Sequence, residues 1–319
     1  MQDINKYDSV TVELEAVREI FEQELACDVP SISKMIEQAS IFRGKMLRPL
    51  LVLLSGKACG RIDHRHRVIA AVTEMVHLAT LIHDDVLDEA QRRRGGRTVN
   101  DLHGNEKAVL LGDMFISHAY HLCSSLQDQS FAQRIAMTTN TVCEGELMQL
   151  RYRGRYDLTE ENYFDIISRK TASLMASCCY LGGQAADADE NTCGSLEKYG
   201  YKMGTAFQIA DDILDLIGDE QAAGKTLGSD LIKEKMTLPV IYFFRNCSPD
   251  ERRRAEKLLA QPSREALSEF VTRLDETGGI DYARNRAADF ITQAKNNLPD
   301  LPESQAQFDL VKLANSVLE

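Results

Sequence analysis

The spacing of apolar residues is the feature that most constrains this chain. Apolar side chains recur at intervals of three and four along almost its whole length. That spacing places them on one face of an α-helix, whereas a strand would alternate with period two, and no stretch alternates for long. Two helix faces are especially clear, one formed by Val72, Met75, Val76, Ala79, Ile82 and Val86, and one by Met203, Ala206, Phe207, Ala210, Ile213, Leu214 and Ile217. We therefore predict an all-α protein.

The breaks between these helical stretches are short, and none has the composition of a linker between domains. They lie at 59–63, 93–98, 125–130, 153–157, 186–194 and 218–230. Hydrophobic residues make up 44% of the chain, which suffices for a large core, and only seven prolines interrupt it. We expect one helical domain over residues 1–319, a single large bundle of about ten or more helices.

Composition excludes several classes of protein. The net charge of −12 argues against a nucleic-acid partner, because phosphate backbones require a basic surface. The eight cysteines form no CxxC pair and no zinc spacing, and most lie in apolar helical stretches. We therefore expect a reduced, cytoplasmic protein. The N-terminal MQDINKYDSV has no signal-peptide pattern, and the apolar run near LRPLLVLLSG is too short for a transmembrane helix.

Two segments of the chain have similar sequences, ATLIHDDVLD at 79–88 and FQIADDILD at 207–215. On a helix, Asp84 and Asp88 point the same way one turn apart, with Asp85 flanking them. Asp211, Asp212 and Asp215 repeat that arrangement. Like charges at this spacing repel, and carboxylates at the end of an apolar stretch are costly unless they are paired or bound to a metal.

These ligands are all hard oxygens, without His or Cys at ligand spacing. That favours Mg²⁺, with Mn²⁺ as a substitute, because Mg²⁺ takes one or two carboxylates and completes its shell with waters and phosphates. A single cluster would be an ordinary solvated acidic face. Two matched clusters instead predict a site that binds one polyphosphate through metal ions.

Basic residues near the clusters could hold that polyphosphate. Arginine forks suit phosphate oxygens, and lysine acts as a point charge. Each of these residues alone could be an ordinary surface charge, which is how we interpret Arg92. The candidates are Lys45 and Arg48 in RGKMLRP, Arg93 and Arg94 after the first cluster, Lys170 and Thr171 in SRKTASL, and Lys225 in AAGKTLGSD.

With these motifs, residues 40–245 resemble the trans-isoprenyl diphosphate synthases of the polyprenyl synthetase family, most closely the octaprenyl and heptaprenyl types. Six motifs carry the resemblance, in the family's order: GKMLRP, DDVLDEAQRRRG, EGELMQL, KTASL, GTAFQIADDILD and GKTLGSDL…KMTLP. The resemblance implies a helical bundle of the isoprenoid synthase type with a central active-site cavity. It also implies condensation of isopentenyl diphosphate with an allylic diphosphate.

The resemblance further implies a role for each candidate residue. All six aspartates would bind metal, and Asp84, Asp85, Asp88, Lys170, Asp211 and Asp212 would be catalytic. The allylic diphosphate would be held by Arg93, Lys170, Thr171, Gln208, Lys225 and Lys235. Isopentenyl diphosphate would be held by Lys45, Arg48, His77 and Arg94. His77 has independent support, since it precedes Asp84 by seven residues and so shares its helix face.

The sequence departs from the family pattern in three places. Arg43-Gly44-Lys45-Met46 replaces the usual Gly-Gly-Lys-Arg, Glu234 replaces a glycine, and the C-terminal LANSVLE lacks the basic end of farnesyl synthases. The family forms homodimers through helices beside the active site. Residues 110–123, apolar on more than one face, are the candidate interface helix. With no transmembrane segment expected, a long product could still be handed to membrane enzymes.

Product length depends on residues below the first cluster. Thr80 and Ala79 lie one turn before Asp84, and Val76 and Met75 lie one turn further. In the family, a large aromatic at the upper pair stops growth at farnesyl or geranylgeranyl length. Here the pair is small, so we predict a product of about C25 or longer, with about C30–C40 as the favoured range. The growing chain would lie in a tunnel along this helix.

Three alternatives remain. One is a geranylgeranyl- or farnesyl-length synthase. Another is a non-catalytic regulatory subunit, which would have lost aspartates that this chain keeps. The third is a terpene cyclase or head-to-head synthase, neither of which is expected to have the GKMLRP site.

Overall fold

A computed structural model describes residues 7–41, 46–218 and 227–319. Within these ranges the chain forms sixteen α-helices. They are α1 (Thr11–Glu24), α2 (Pro30–Ser40), α3 (Leu47–Ala58), α4 (His64–Leu87), α5 (Val99–His103), α6 (Asn105–Ser124), α7 (Ser130–Tyr152), α8 (Glu160–Ile167), α9 (Ser173–Ala185), α10 (Glu190–Ile217), α11 (Ser229–Ile232), α12 (Leu238–Asn246), α13 (Pro249–Ala260), α14 (Arg264–Glu276), α15 (Gly279–Asn296) and α16 (Gln305–Asn315). The all-α prediction is confirmed.

Helices α4 and α10 form the centre of the bundle. The helix α4 packs against α3 and α6, and α10 packs against α9 and α15. Buried apolar side chains form one cluster that runs from Tyr7 to Ala314. The two aspartate motifs therefore sit at the ends of the two most central helices.

A capping box fixes the start of α4. Asp63 Oδ1 accepts a hydrogen bond from the backbone N–H of Arg65 (2.9 Å), and the Asp63 N–H donates to His66 Nδ1 (3.1 Å). Such a box satisfies backbone donors that a helix start leaves without partners. It defines where the helix carrying the first aspartates begins.

Helix α8 continues into α9 through a π-helical segment, Ser168–Ala172. This wider turn carries Lys170 and Thr171, and π-turns inside helices often occur at functional sites. Helix α7 approaches the segment closely at Gly145, where an added Cβ would lie 2.6 Å from the backbone nitrogen of Lys170. The glycine of EGELMQL therefore permits this approach.

A small hairpin interrupts the helices after α4. Strands β1 (Arg92–Arg93) and β2 (Gly96–Arg97) pair antiparallel. Arg94 (φ 48°) and Gly95 (φ 80°), between them, are both left-handed, as a tight hairpin turn of this kind requires. The predicted break at 93–98 therefore contains β2 and the second residue of β1.

The other predicted breaks largely coincide with the gaps between helices. Three expectations were wrong at an edge. Helix α7 begins at Ser130, inside the break predicted at 125–130, and α11 begins at Ser229, inside the break predicted at 218–230, of which residues 219–226 lie outside the described ranges. Helix α10 begins at Glu190, inside the break predicted at 186–194. Asp189 caps that helix by accepting from the Thr192 N–H at 2.9 Å. All eight cysteines are free thiols. Among the described residues, no helix is both long and apolar enough to cross a membrane.

Candidate active site

The first aspartate cluster lies where α4 ends. The side chains of Asp84 and Asp88 are 20% and 10% exposed, and Asp85 is 4% exposed. Each carboxylate has a cationic partner, and Lys170 Nζ lies 3.2 Å from Asp84 Oδ2. The acidic and basic residues of the motifs therefore face each other within one site.

Asp85 holds Arg93 in a fixed orientation. The Arg93 Nε lies 3.0 and 3.1 Å from the two carboxylate oxygens, and its terminal nitrogen lies 2.8 Å from Oδ1. Burial raises the pKa of Asp85, and the adjacent Arg93 opposes that rise. Because Arg93 projects from β1 and is paired with Asp85, its guanidinium points towards the first aspartate cluster.

Three cations surround Asp88. Arg153 lies 3.0 Å from Oδ1, while Lys233 and Lys235 lie 3.1 and 2.7 Å from Oδ2. Burial alone would raise the pKa of Asp88, but Lys235 and Lys233 lower it to about 2. This carboxylate is therefore ionised at neutral pH, and it gathers positive charge at the site.

In the second cluster, one aspartate is exposed and two are buried. Asp211 is exposed, whereas Asp212 is 5% exposed and Asp215 is fully buried. Tyr163 OH donates to Asp212 Oδ2 at 2.6 Å, and Gln208 Nε2 donates to Oδ1 at 2.9 Å. Burial raises the pKa of Asp212 well above its usual value. These two donors stabilise the ionised form that a metal ligand requires.

Asp215 has contacts that its motif did not predict. Its carboxylate accepts from Ser229 Oγ at 2.7 Å and from the Asp230 N–H at 2.9 Å. These bonds hold the start of α11 against α10.

Two sets of contacts connect the aspartate clusters. In the π-segment, Lys170 contacts Asp84, and the next residue, Thr171, donates to Gln208 Oε1 at 2.7 Å, which in turn holds Asp212. The second connection runs from Asp215 through α11 to Lys233 and Lys235, which contact Asp88. The clusters therefore belong to one site, although 127 residues separate Asp84 from Asp211.

Of the residues predicted to hold isopentenyl diphosphate, Arg48, His77 and Arg94 are near enough to affect one another's charge, and we call these three the basic side of the site. Arg48 lies in the first turn of α3, and its Nε is shut off from solvent without a hydrogen-bond partner in the described chain. Burial and the nearby Arg48 and Arg94 hold the pKa of His77 well below its usual value, so its ring is neutral. A buried guanidinium donor without a partner is suited to an anion. Lys45 and Lys225 lie outside the described residues.

The residues assigned to chain length line the interior face of α4. Met75, Val76 and Ala79 are at most 1% exposed, and Thr80 is half-buried. Thr80 Oγ1 donates to the His77 carbonyl at 2.7 Å.

Four polar residues at the site were not predicted from the sequence. Arg153 and Lys233 contact Asp88, and Tyr163 contacts Asp212. Glu146 forms an ion pair with Lys170, and burial, followed by Asp84, raises its pKa. Glu146 lies within the EGELMQL motif on α7, and that position was the one available sequence signal for it.

The donor set fits a metal ion that arrives with its substrate. Within the described ranges, no group of three or more His, Cys, Asp or Glu side chains forms a ready-made metal centre. Mg²⁺ commonly binds one or two carboxylates and takes its remaining ligands from phosphates and water. The exposed Asp211 and the partly exposed Asp84 offer such oxygens.

Comparisons with known proteins identify the family of this chain. Residues 29–274 match the sequence profile of the polyprenyl synthetase family. The chain is 33% identical over 296 residues to octaprenyl diphosphate synthase of Escherichia coli K12, covering 92% of each protein. It is 35% identical over 283 residues to geranylgeranyl pyrophosphate synthase of Geoglobus acetivorans, covering 86% of each.

A solved structure is also similar over nearly the whole chain. It is a polyprenyl synthase from Caulobacter crescentus CB15, complexed with calcium and isoprenyl diphosphate. The two share a TM-score of 0.95 and 28% identity, covering 99% of this chain and 97% of the other. The relatives span geranylgeranyl to octaprenyl products, so they leave product length open. The chain belongs to the polyprenyl synthetase family and is a trans-prenyltransferase.

Proposed function

We propose that this enzyme condenses isopentenyl diphosphate with an allylic diphosphate and repeats the step to give an all-trans polyprenyl diphosphate. The product would be about C25 or longer, with about C30–C40 as the favoured range. The observation that carries the proposal is the pair of connections between the aspartate clusters. Lys170 and Thr171 reach Asp84 and Gln208 from adjacent positions. One diphosphate placed there meets carboxylates from both motifs and the cations between them.

The aspartates would hold Mg²⁺, with Mn²⁺ as a substitute, and all six remain candidate ligands. When bound, the metal stabilises the negative charge that develops on the departing diphosphate. Lys170, Arg93 and Thr171 bind that diphosphate, and Gln208 orients Thr171. The calcium and isoprenyl diphosphate bound to the Caulobacter crescentus relative support this assignment.

The reaction needs no nucleophilic side chain. The allylic C–O bond breaks and its electron pair leaves with the diphosphate. The double bond of isopentenyl diphosphate then supplies the electrons for the new C–C bond, and a proton leaves, with the released diphosphate as the acceptor. Arg48, His77 and Arg94 hold the isopentenyl substrate, while the partly buried Phe207 on α10 is a candidate surface for the allylic cation.

A product assay tests the function. The purified protein is incubated with labelled isopentenyl diphosphate, an allylic primer, and Mg²⁺ or EDTA, and the dephosphorylated products are separated by chromatography. We expect primer- and metal-dependent label in chains of about C25 or longer. No incorporation by the folded protein would favour a silent regulatory subunit, and labelled cyclic products would favour a cyclase.

The length of the prenyl product is proposed to depend on helix α4. Ala79 is fully buried one turn below Asp84, so a large side chain there would fill the proposed tunnel without touching the metal ligands. Ala79→Tyr should shorten the product to about C15–C20 and preserve turnover. Unchanged products from Ala79→Tyr, or a wild-type product no longer than C20, would refute the tunnel.

A homodimer is the proposed assembly. Exposed apolar side chains, which single domains seldom cluster, lie on the neighbouring helices α6 and α7. Leu110 is 67% exposed, Met137 70% and Leu147 67%. A monomer in light scattering at micromolar concentration would contradict the dimer, and Leu110→Glu should weaken it.

Two further expectations remain proposals. The single cluster of buried side chains from Tyr7 to Ala314 supports one domain over the whole chain. The free cysteines are compatible with the proposed cytoplasmic location.

A further inference from the structure

Lys170 reaches the first aspartate cluster between two carboxylates on different helices. Its Nζ lies 3.2 Å from Asp84 Oδ2 on α4, and it forms an ion pair with Glu146 Oε2 on α7. Asp84 is a candidate metal ligand, whereas none of the proposed roles uses Glu146. The side chain of Glu146 is 15% exposed, and the oxygen that pairs with Lys170 is shut off from solvent. The lysine, rather than water, therefore compensates the negative charge of that oxygen.

A second ion pair joins the same two elements on their solvent side. Arg169, also in the π-helical segment, has its Nη1 2.7 Å from Oε2 of Glu144 on α7. These two side chains are 38% and 58% exposed. Between the two pairs, α7 packs closely against the segment at Gly145. The packing at Gly145 and the outer pair already hold α7 against the segment, so the inner pair can serve the site.

A lysine side chain needs such an anchor if it is to receive a diphosphate. Its ammonium has three donors on a flexible stem of four carbons. Asp84 and Glu146 can take two of these donors and leave the third for a phosphate oxygen. Ordering one long side chain at each binding event lowers affinity by up to about tenfold. Glu146 orders Lys170 before the substrate arrives.

We propose that Glu146 is a positioning residue for the allylic diphosphate: it holds the Lys170 ammonium at the first aspartate cluster without touching the substrate. This inference rests on the proposed function. It predicts an effect on one substrate, because Lys170 is a proposed contact of the allylic diphosphate and not of isopentenyl diphosphate.

Two effects of Glu146 oppose each other. Its negative charge repels the diphosphate, so its removal would tighten binding if charge alone mattered. Its removal also leaves Asp84 as the carboxylate that pairs with Lys170, which would draw the ammonium towards α4. We expect the second effect to dominate, because Lys170 already offsets the charge of Glu146 by direct pairing. The direction of the change in KM therefore tests the proposal.

The experiment measures KM for both substrates in Glu146→Gln, which keeps the shape and removes the charge. We expect KM for the allylic primer to rise about fivefold to tenfold and KM for isopentenyl diphosphate to change less than about twofold. Glu144→Gln is the matched control, because it removes the same charge from an ion pair between the same two elements, two residues away on α7. Both KM values should stay within about twofold of the wild type in that control.

Two further variants distinguish positioning from loss of fold. Glu146→Asp keeps the charge and should bring KM for the primer back to within about threefold of the wild type. In a Lys170→Gln background, Glu146→Gln should raise that KM by less than about twofold, since the residue through which it acts is gone. The double variant also leaves no buried carboxylate without its cation, so it stays informative if Glu146→Gln alone does not fold.

The outcomes separate this inference from the proposed function. If the wild-type protein does not condense the two substrates, the function fails and the inference with it. If the wild type is active but Glu146→Gln lowers KM for the primer, leaves it unchanged, or raises both KM values equally, only the role of Glu146 is overturned. An equal rise in Glu144→Gln would also overturn that role, because both pairs would then act through the packing of α7.

Discussion

Tyr163 is the most informative residue to change, because its hydroxyl supports a buried aspartate of the second cluster. Tyr163→Phe removes the 2.6 Å hydrogen bond to Asp212 and keeps the ring, which packs edge-on against Phe164 at 5.4 Å. Asp212 would then have only the donor from Gln208. Burial already raises the pKa of Asp212, and losing an O–H donor acts in the same direction.

The size of the effect follows from that bond. A hydrogen bond to a charged group contributes about 1.5–3 kcal/mol, and the lower end applies because Gln208 remains. About 1.4 kcal/mol corresponds to a tenfold change in an equilibrium constant. We therefore expect the Mg²⁺ concentration for half-maximal activity to rise about tenfold, with little change in the far-ultraviolet circular dichroism.

The assay is a Mg²⁺ titration of initial rate at saturating substrates. Tyr282→Phe is the matched control, since the Tyr282 hydroxyl also donates to a carboxylate, Glu160, at 2.9 Å, but outside the aspartate clusters. A folded Tyr163→Phe enzyme with the wild-type Mg²⁺ requirement would refute the role assigned to Asp212.

Three further predictions concern stability. Asp63→Ala removes the cap of α4 and should lower the free energy of unfolding in urea by about 1–2 kcal/mol, and an unchanged value would contradict the cap. Glu234 has φ 56°, so Glu234→Gly should raise the stability by about 0.5–1 kcal/mol in thermal melts, and a lower melting temperature would contradict the strain. Burial lowers the pKa of His66, so its stabilisation is complete above the unfolded value of 6.5 and is lost as the pH falls. His66→Gln should therefore flatten the decline in unfolding free energy between about pH 7 and pH 5, and an equal slope would refute this assignment.

The sequence predicted those parts of the structure that local periodicity encodes. The helices and most of their breaks follow from spacings within about two turns. The hairpin escaped prediction because two-residue strands are too short to show an alternating pattern. The glycines of the hairpin indicated that a turn was present, but they did not indicate the strands beside it.

The contacts around Asp88 could not be predicted in this way. Arg153, Lys233 and Lys235 lie 65, 145 and 147 residues from it, and only the packing of the bundle brings them together. Tyr163 likewise reaches Asp212 across 49 residues. No local pattern distinguishes these side chains from other polar residues on helix surfaces.

The central claim is that the two aspartate motifs form one metal and diphosphate site, and a double-mutant cycle on turnover tests it most directly. Groups that act as a unit lose nearly all of their effect when any one of them is removed. Asp84→Ala and Asp211→Ala should each lower kcat by about a hundredfold or more, and the double variant should be little worse than either, with helical circular dichroism retained. Full activity in either single variant, or losses that multiply in the double variant, would contradict the claim.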